Sequence, residues 1–245
     1  MSLRVEQIKV SYPDRVIGPV DFEVPDGDLM CLLGPNGAGK TSILKAILGL
    51  TRAEGLVELN GSMHRPGAIA VRRSASWASD SPDAIPATLT ALELIRFHAW
   101  CGRCGVLAEK AAVGRALEIA ERLSLDAQDR RLIGTFSMGM KKKLQLICCL
   151  MRRPAVVIVD EPRNSLDPVT ADEVASLLRE ERNNGSMVIA ATHDLDFAER
   201  ESTSVVVLVG GCVKIAGTPA KVLGPDDSRQ RYRDLVTDGG RSGDG

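Results

Sequence analysis

The chain has 245 residues, 44% of them hydrophobic, enough to bury a core in one large domain or in one domain with a subdomain. Its 31 basic and 32 acidic side chains leave a formal charge of -1, and only 3% of residues are aromatic. That balance argues against bulk nucleic-acid binding and against an aromatic platform for single strands, so no nucleic-acid partner is expected.

Along the chain, the opening MSLRVEQIKV lacks the apolar centre of a signal peptide. No apolar run reaches the roughly 20 residues that span a bilayer, so the chain is expected to be soluble on its own. Val5, Ile8 and Val10, then Phe22 and Val24, alternate with polar residues and predict antiparallel strands. LMCLL, from Leu29 to Leu33, is a glycine-bounded apolar run of the kind found in a buried parallel strand. TSILKAILGL has helical spacing, and VELNG, from Val57 to Gly61, reads as a strand ending in a turn. From about Thr88 to Leu150 the pattern is helical, in segments starting at Leu89, Glu109 and Ser137. Strands return at Ala155–Val159 and Met187–Thr192, separated by a helix near Ala171–Asn183. Ser204 to Gly217 reads as a hairpin, and the stretch from Gly224 as a loose end. No internal repeat is visible.

Six cysteines are present. Cys31, Cys148 and Cys149 lie in apolar runs and read as small buried hydrophobes. Cys101 and Cys104 make a C-x-x-C spacing without a second pair, so a structural role is expected rather than a metal site. This usage points to the inside of the cell.

GPNGAGKT, from Gly34 to Thr41, fits the phosphate-loop pattern. Its glycines let backbone N–H groups turn inward around phosphates, and the helix that follows adds its positive end. Lys40 places a cation against the terminal phosphates, and the Thr41 hydroxyl is suited to Mg2+. Pro35, Asn36, Gly37, Ala38, Gly39 and Ser42 complete the nucleotide-binding stretch. AVVIVDEP then ends a buried strand in two carboxylates. Asp160 is placed to hold Mg2+, and Glu161 to take a proton from an attacking water. His193 ends the next core strand, at the edge where α/β sheets bind ligands, and can reach a γ-phosphate there. His64 and His98 have no such placement.

A second anion-binding turn, FSMGMKKKL, lies about a hundred residues beyond the first. The ordered set GPNGAGKT, FSMGM, VVIVDEP, NSLD and ATHD resembles the nucleotide-binding subunit of an ABC (ATP-binding cassette) transporter over residues 3–223. By that resemblance Tyr12 stacks on adenine, FSMGM is the family signature, NSLD (Asn164 to Asp167) crosses a dimer interface and His193 is the switch histidine. Two cassettes stack head to tail in this family, so Ser137 and Gly139 would serve the partner's ATP rather than their own. Met138 and Met140 depart from the usual signature LSGGQ. Met140 and the following basic run resemble cassettes of two-component ABC-2-type exporters, with Lys141 to Lys143 expected on a solvated helix face. Where the family carries a glutamine facing Mg2+ and the membrane subunit, this chain has Asp80, after Trp77 and with Asp83 as the alternative register.

The resemblance implies an α/β fold. It would have a phosphate-loop NTPase (RecA-like) core, an N-terminal antiparallel β part and an inserted helical subdomain at about 82–150. Residues 1–225 would form a single ABC ATPase domain and 226–245 a flexible tail. The implied function is hydrolysis of ATP with Mg2+ to power a membrane transporter, an exporter by its signature, through head-to-tail pairing with a second cassette, the same chain or a different one. The implied partner is an integral membrane transporter subunit, with this chain peripheral on the cytoplasmic face of the membrane. The competing reading is a soluble ABC ATPase acting on a non-membrane partner. Such relatives tend to carry two cassettes or a long coiled-coil insertion, and this chain has neither. A phosphate-loop kinase would leave the signature and His193 without purpose, and Glu161 and His193 weigh against a non-hydrolysing regulator.

Overall fold

The computed structural model describes residues 2–102, 105–224 and 228–240. The chain opens with β1 (Ser2–Ser11), β2 (Val16–Pro25) and β3 (Leu29–Leu33), followed by α1 (Lys40–Ile47). Next come β4 (Glu54–Leu59), β5 (Ser62–His64), α2 (Ile69–Ser74) and β6 (Ala75–Ala78). Three helices follow, α3 (Ala91–Cys101), α4 (Gly105–Arg122) and α5 (Met138–Leu150). The core resumes with β7 (Val156–Asp160), α6 (Pro168–Asn183), β8 (Met187–Thr192) and α7 (Leu195–Glu201). It closes with β9 (Ser204–Val209), β10 (Cys212–Gly217), α8 (Pro219–Leu223) and α9 (Ser228–Gly240).

The strands form two sheets. An antiparallel sheet runs β2-β1-β4-β5, and a six-stranded sheet runs β10-β9-β3-β8-β7-β6. In the larger sheet β6, β7, β8, β3 and β9 pair in parallel, and β10 closes the edge antiparallel to β9. Every residue of β3, β7 and β8 is buried, as expected of strands covered on both faces. Alternation along β3 divides the core. Leu29, Cys31 and Leu33 point to the side of the helical insert, and Met30 and Leu32 to the side of α1 and the antiparallel sheet. The fold class matches the expectation.

Local chemistry explains most boundaries. Thr90 caps α3 in a reciprocal box with Glu93. Ser137, Asp167 and Asp194 cap α5, α6 and α7 through their side-chain oxygens. The odd spacing of Val5 and Ile8 reflects a bulge at Gln7, where φ is 52° and the ladder register shifts. Three expectations change. The edge strand β6 adds an element the strand pattern does not show, because ASWA is short and only partly apolar. The stretch from Gly224 is not all loose, since α9 forms over Ser228–Gly240 and lays Tyr232, Leu235 and Val236 on the helical side of the core. Lys142 is buried at 4% exposure rather than solvated, because α5 is enclosed by the helical insert and by the core sheet. Cys101 is a free, exposed thiol, and Cys104 lies outside the described residues.

The insert is tied to the core by an ion pair between Arg115 on α4 and the fully buried Glu181 on α6. Burial pushes the Glu181 carboxyl above its usual range, and Arg115 is the main influence pulling it back. Arg115→Ala leaves that charge buried and unpaired, and should destabilise the fold by about 3–5 kcal/mol, or roughly 10 °C in Tm. A raised carboxyl pKa favours the folded state below it, so the loss should shrink as pH falls and Glu181 takes up a proton. Thermal melts of both proteins at pH 5 and pH 8 check this; an equal loss at both pH values would contradict it.

Candidate functional site

Parallel pairing brings three strand ends to one edge. Leu33 pairs with Thr192 and Asp160 with Ala191, so the phosphate loop, Asp160–Glu161 and His193 emerge side by side. Two backbone bonds lock them together, Gly34 N–H to the Thr192 carbonyl at 3.2 Å and Glu161 N–H to the Ala191 carbonyl at 2.8 Å.

The loop from Gly34 needs its glycines. A Cβ on Gly34 would sit 2.3 Å from the Leu208 carbonyl oxygen, and Gly39 holds φ at 104° with Ile17 packed against it. Lys40 is buried, with its Nζ donating to the Gly34 carbonyl at 2.7 Å and lying 3.6 Å from Glu161 Oε1. Thr41 Oγ1 donates to Asp160 Oδ2 at 2.6 Å. Burial lifts the Asp160 carboxyl above its ordinary range, and the Thr41 hydroxyl pulls it back.

Glu161 sits in left-handed backbone, φ 47°, a conformation that costs a non-glycine residue about 1–3 kcal/mol and that recurs at functional sites. The turn swings its carboxylate out of line with the strand. Glu161 Oε2 accepts from Thr192 Oγ1 at 3.0 Å, and Oε1 lies 3.0 Å from His193 Nδ1.

A cavity of about 270 Å3 is lined by Pro35 through Ser42 together with Asp80, Asp160, Glu161 and Arg15. Asp80 thus reaches the site, placed there by the loop after β6. Its Oδ1 accepts from Asn164 Nδ2 at 2.9 Å and lies 4.0 Å from Lys142 Nζ. Asp83 lines a different groove, with Trp77, Lys45, Leu50, His98 and Gln145. Glu161 also walls a second cleft of about 450 Å3, shared with Asn164, Ser165 and His193.

Six expected site residues are not in the lining of the phosphate cavity: Gly34 begins its loop, His193 lines the second cleft, and the other four are Tyr12, Ser137, Gly139 and Asp167. Tyr12 is half-buried, its hydroxyl 3.0 Å from Ser42 Oγ and Arg15 over its ring. Ser137 is exposed, and its Oγ accepts from Met140 N–H at 3.2 Å. Gly139 is half-buried, and a Cβ there would meet the Ser165 carbonyl oxygen at 2.7 Å. Asp167 caps α6 through Thr170, whose hydroxyl and N–H hold its carboxyl below the usual range.

Sequence reasoning missed Arg15 and Arg163, and expected the buried Lys142 on a solvated face. Arg15 donates to the Gly37 carbonyl at 3.2 Å, and Arg163 to Asp194 Oδ2 at 3.0 Å. No motif marks Arg15 or Arg163, whereas Lys142 shares a helix face with Gln145, a spacing the sequence does show.

The family model described as "ABC transporter" matches residues 17–164, more than half of the chain. The chain belongs to the ABC transporter family. The cassette is 29% identical over 245 residues to the iron(3+)-hydroxamate import ATP-binding protein FhuC of Bacillus subtilis, covering 97% of this chain and 91% of that protein. It is 31% identical over 222 residues to the doxorubicin resistance ATP-binding protein DrrA of Mycobacterium tuberculosis, covering 89% of this chain and 66% of that one. Among solved structures, an ATP-binding subunit of an ABC transporter superposes with a TM-score of 0.85 at 27% identity, over 96% of this chain and 99% of the other. The cassette is a nucleotide-binding, ATP-hydrolysing subunit of this family.

Arg15 is an exposed cation on the rim of the phosphate cavity. Arg15→Ala should weaken ATP binding by up to about 1 kcal/mol, roughly fivefold in Kd. The difference should close as salt is raised, because exposed charges are screened. Calorimetric titration with ATP at low and high salt checks this, and an unchanged Kd at low salt would contradict it.

Proposed function

We propose that the cassette pairs head to tail with a second copy around ATP and Mg2+, and that hydrolysis drives a membrane subunit in the direction of export. The observation that carries the pairing is the exposed start of α5. Ser137 caps this 13-residue helix, yet neither Ser137 nor Gly139 lines the cavity formed by Lys40, Thr41 and Asp160. A hydroxyl and free helix N–H groups are suited to a phosphate, and a second cassette would bring one to them.

Within each site the roles divide by chemistry. The phosphate loop holds the triphosphate, with Lys40 against its terminal oxygens. Thr41 and Asp160 offer hard oxygen donors, and Asp80 adds a third at the cavity wall. Among the described residues no three His, Cys, Asp or Glu side chains form a metal cage. The oxygen donors of Thr41 and Asp160 fit Mg2+, which takes one or two carboxylates and completes its shell with phosphate oxygens and water. The ion would neutralise charge on the phosphates. Glu161 takes the proton from the attacking water, whose oxygen bonds to the γ-phosphorus as the bond to the β-bridging oxygen breaks. His193, held to Glu161, orients that carboxylate toward the water. Tyr12 stacks on adenine through the ring face opposite Arg15, and Asp167 fixes the loop that meets the partner copy.

Three features support the finer reading. Met140 and the basic run after it resemble the signature of two-component exporters, and DrrA, a doxorubicin resistance protein, is 31% identical. The groove of about 460 Å3 lined by Trp77, Leu50 and Asp83 adjoins Asp80, where a membrane subunit would feel the nucleotide. Among the described residues no helix is long and apolar enough to cross a membrane, so the pathway would come from that subunit and the cassette would sit peripherally on its cytoplasmic face.

Glu161→Gln should bind ATP and lower kcat by about 10²–10⁴-fold, because the amide cannot accept the proton. It should also trap the ATP-bound pair, visible as a doubled mass by light scattering with ATP and a single mass without. Near-normal turnover would remove Glu161 from this role. Ser137→Ala should leave the Kd of the single chain for ATP within about twofold, since the Ser137 hydroxyl would meet only the partner's phosphate, and should suppress the ATP-dependent doubling. A loss of single-chain binding as large as that of Lys40→Ala would contradict the trans assignment.

A further inference from the structure

Lys142 is the buried cation that the site described so far does not use. It is 4% exposed, on the first turns of the helix that Ser137 caps. Its ammonium donates to the Asp160 carbonyl oxygen at 2.5 Å and to the Ser79 carbonyl oxygen at 3.2 Å, and lies 4.0 Å from Asp80 Oδ1. One turn later, Gln145 Nε2 donates to the Ser81 carbonyl oxygen at 2.6 Å. Positions i and i+3 share a helix face. A single face of α5 therefore grips the backbone on both sides of Asp80 and, through Lys142, the end of β7 as well.

Burying an ammonium is costly unless oxygen atoms surround it. A methionine would fill the same space without that cost, so the cation answers a need other than packing. Its partners answer which need. Both Ser79 and Asp160 present main-chain carbonyls to Lys142, while Asp80 and Asp160 both line the phosphate cavity, the Asp160 carboxylate held there by Thr41 rather than by Lys142. Asn164 holds Asp80 from the other side, so its carboxylate is fixed between α5 and the loop after β7.

We propose that Lys142 is a positioning residue for hydrolysis, which sets the spacing of Asp80 and Asp160 and ties it to the signature helix. The proposal rests on the reading that these two carboxylates face Mg2+. It also gives the two phosphate-recognition elements a mechanical link. The start of α5 faces the partner's ATP, while the same helix, one turn on, holds the carboxylates of its own site.

The test is Lys142→Met in the full-length chain, alongside Asp80→Ala and the double variant. Outer-shell partners of metal ligands are worth about 10–100-fold in metal affinity or activity. Lys142→Met should raise the Mg2+ concentration for half-maximal hydrolysis by about tenfold, and should weaken Mg2+-dependent ATP binding in calorimetry to the same degree. ATP binding in EDTA should stay as in the unsubstituted chain, which a general loss of structure would not permit. The double variant should lose less than the sum of the single losses, because both act on one carboxylate pair. An unchanged Mg2+ requirement in Lys142→Met, or losses that add in full when both single variants shift that requirement, would overturn the proposal. A shift in Lys142→Met with none in Asp80→Ala would uphold Lys142 as the positioner of Asp160 and remove Asp80 from the metal site, so the two failures are told apart. If the methionine variant does not fold, Lys142→Gln takes its place, since its amide still donates to one carbonyl. It should move the Mg2+ requirement in the same direction by less, and no movement would overturn the proposal.

Discussion

The register of three parallel strands determines where the chemistry of this cassette can sit. Leu33 of β3 lies opposite Thr192 of β8, and Asp160 of β7 opposite Ala191 of the same strand. A slip of one residue in either pairing would send a buried strand's side chains to the wrong face. It would also separate Gly34, Glu161 and His193. The register is held by full burial on both faces, so the packing that stabilises the core is what assembles the site. The helical insert then adds α5, capped by Ser137, on a different surface.

Charge at this edge is arranged against its own repulsion. Asp160, Glu161 and Asp80 line one cavity, with Lys40 and Arg15 in its wall and Lys142 buried behind it. Lys40 is held by the Gly34 carbonyl and faces Glu161, whereas Lys142 donates to the backbone of Asp160 and Ser79 and lies 4.0 Å from Asp80 Oδ1. The carboxylates therefore keep oxygen atoms free for a ligand. Burial raises the Asp160 carboxyl, and a bound cation would act against that shift.

Some of this was legible in the residues alone. The phosphate loop could be read because its backbone path dictates glycine, and Gly34 and Gly39 meet that demand in space. Asp160 and Glu161 could be read because an apolar strand ending in two acids has few uses beside such a loop. Asp80 was placed by a resemblance, and the loop after β6 does carry it to the cavity. What escaped depends on tertiary contact. Three consecutive lysines look solvated until the helical insert and the core sheet close around Lys142. Asp167 carries a motif label, yet the bonds visible in the structure are those of a helix cap. Arg15 has no motif, since its place on the cavity rim comes from the turn between β1 and β2. The segment after Gly224 looked unstructured by composition, and only the apolar face offered by the core explains why Tyr232, Leu235 and Val236 fold onto it.

The central claim is that each ATP is enclosed by two chains, with Lys40 from one and Ser137 from the other. The most direct measurement mixes two inactive variants, Lys40→Ala and Ser137→Arg, and follows ATP hydrolysis. In a mixed pair the intact phosphate loop of the Ser137→Arg chain meets the intact signature of the Lys40→Ala chain, so the account predicts that mixing restores hydrolysis that neither variant shows alone. A mixture as inactive as its components, with mixed pairs demonstrably formed, would place both elements in the same site of one chain and contradict it.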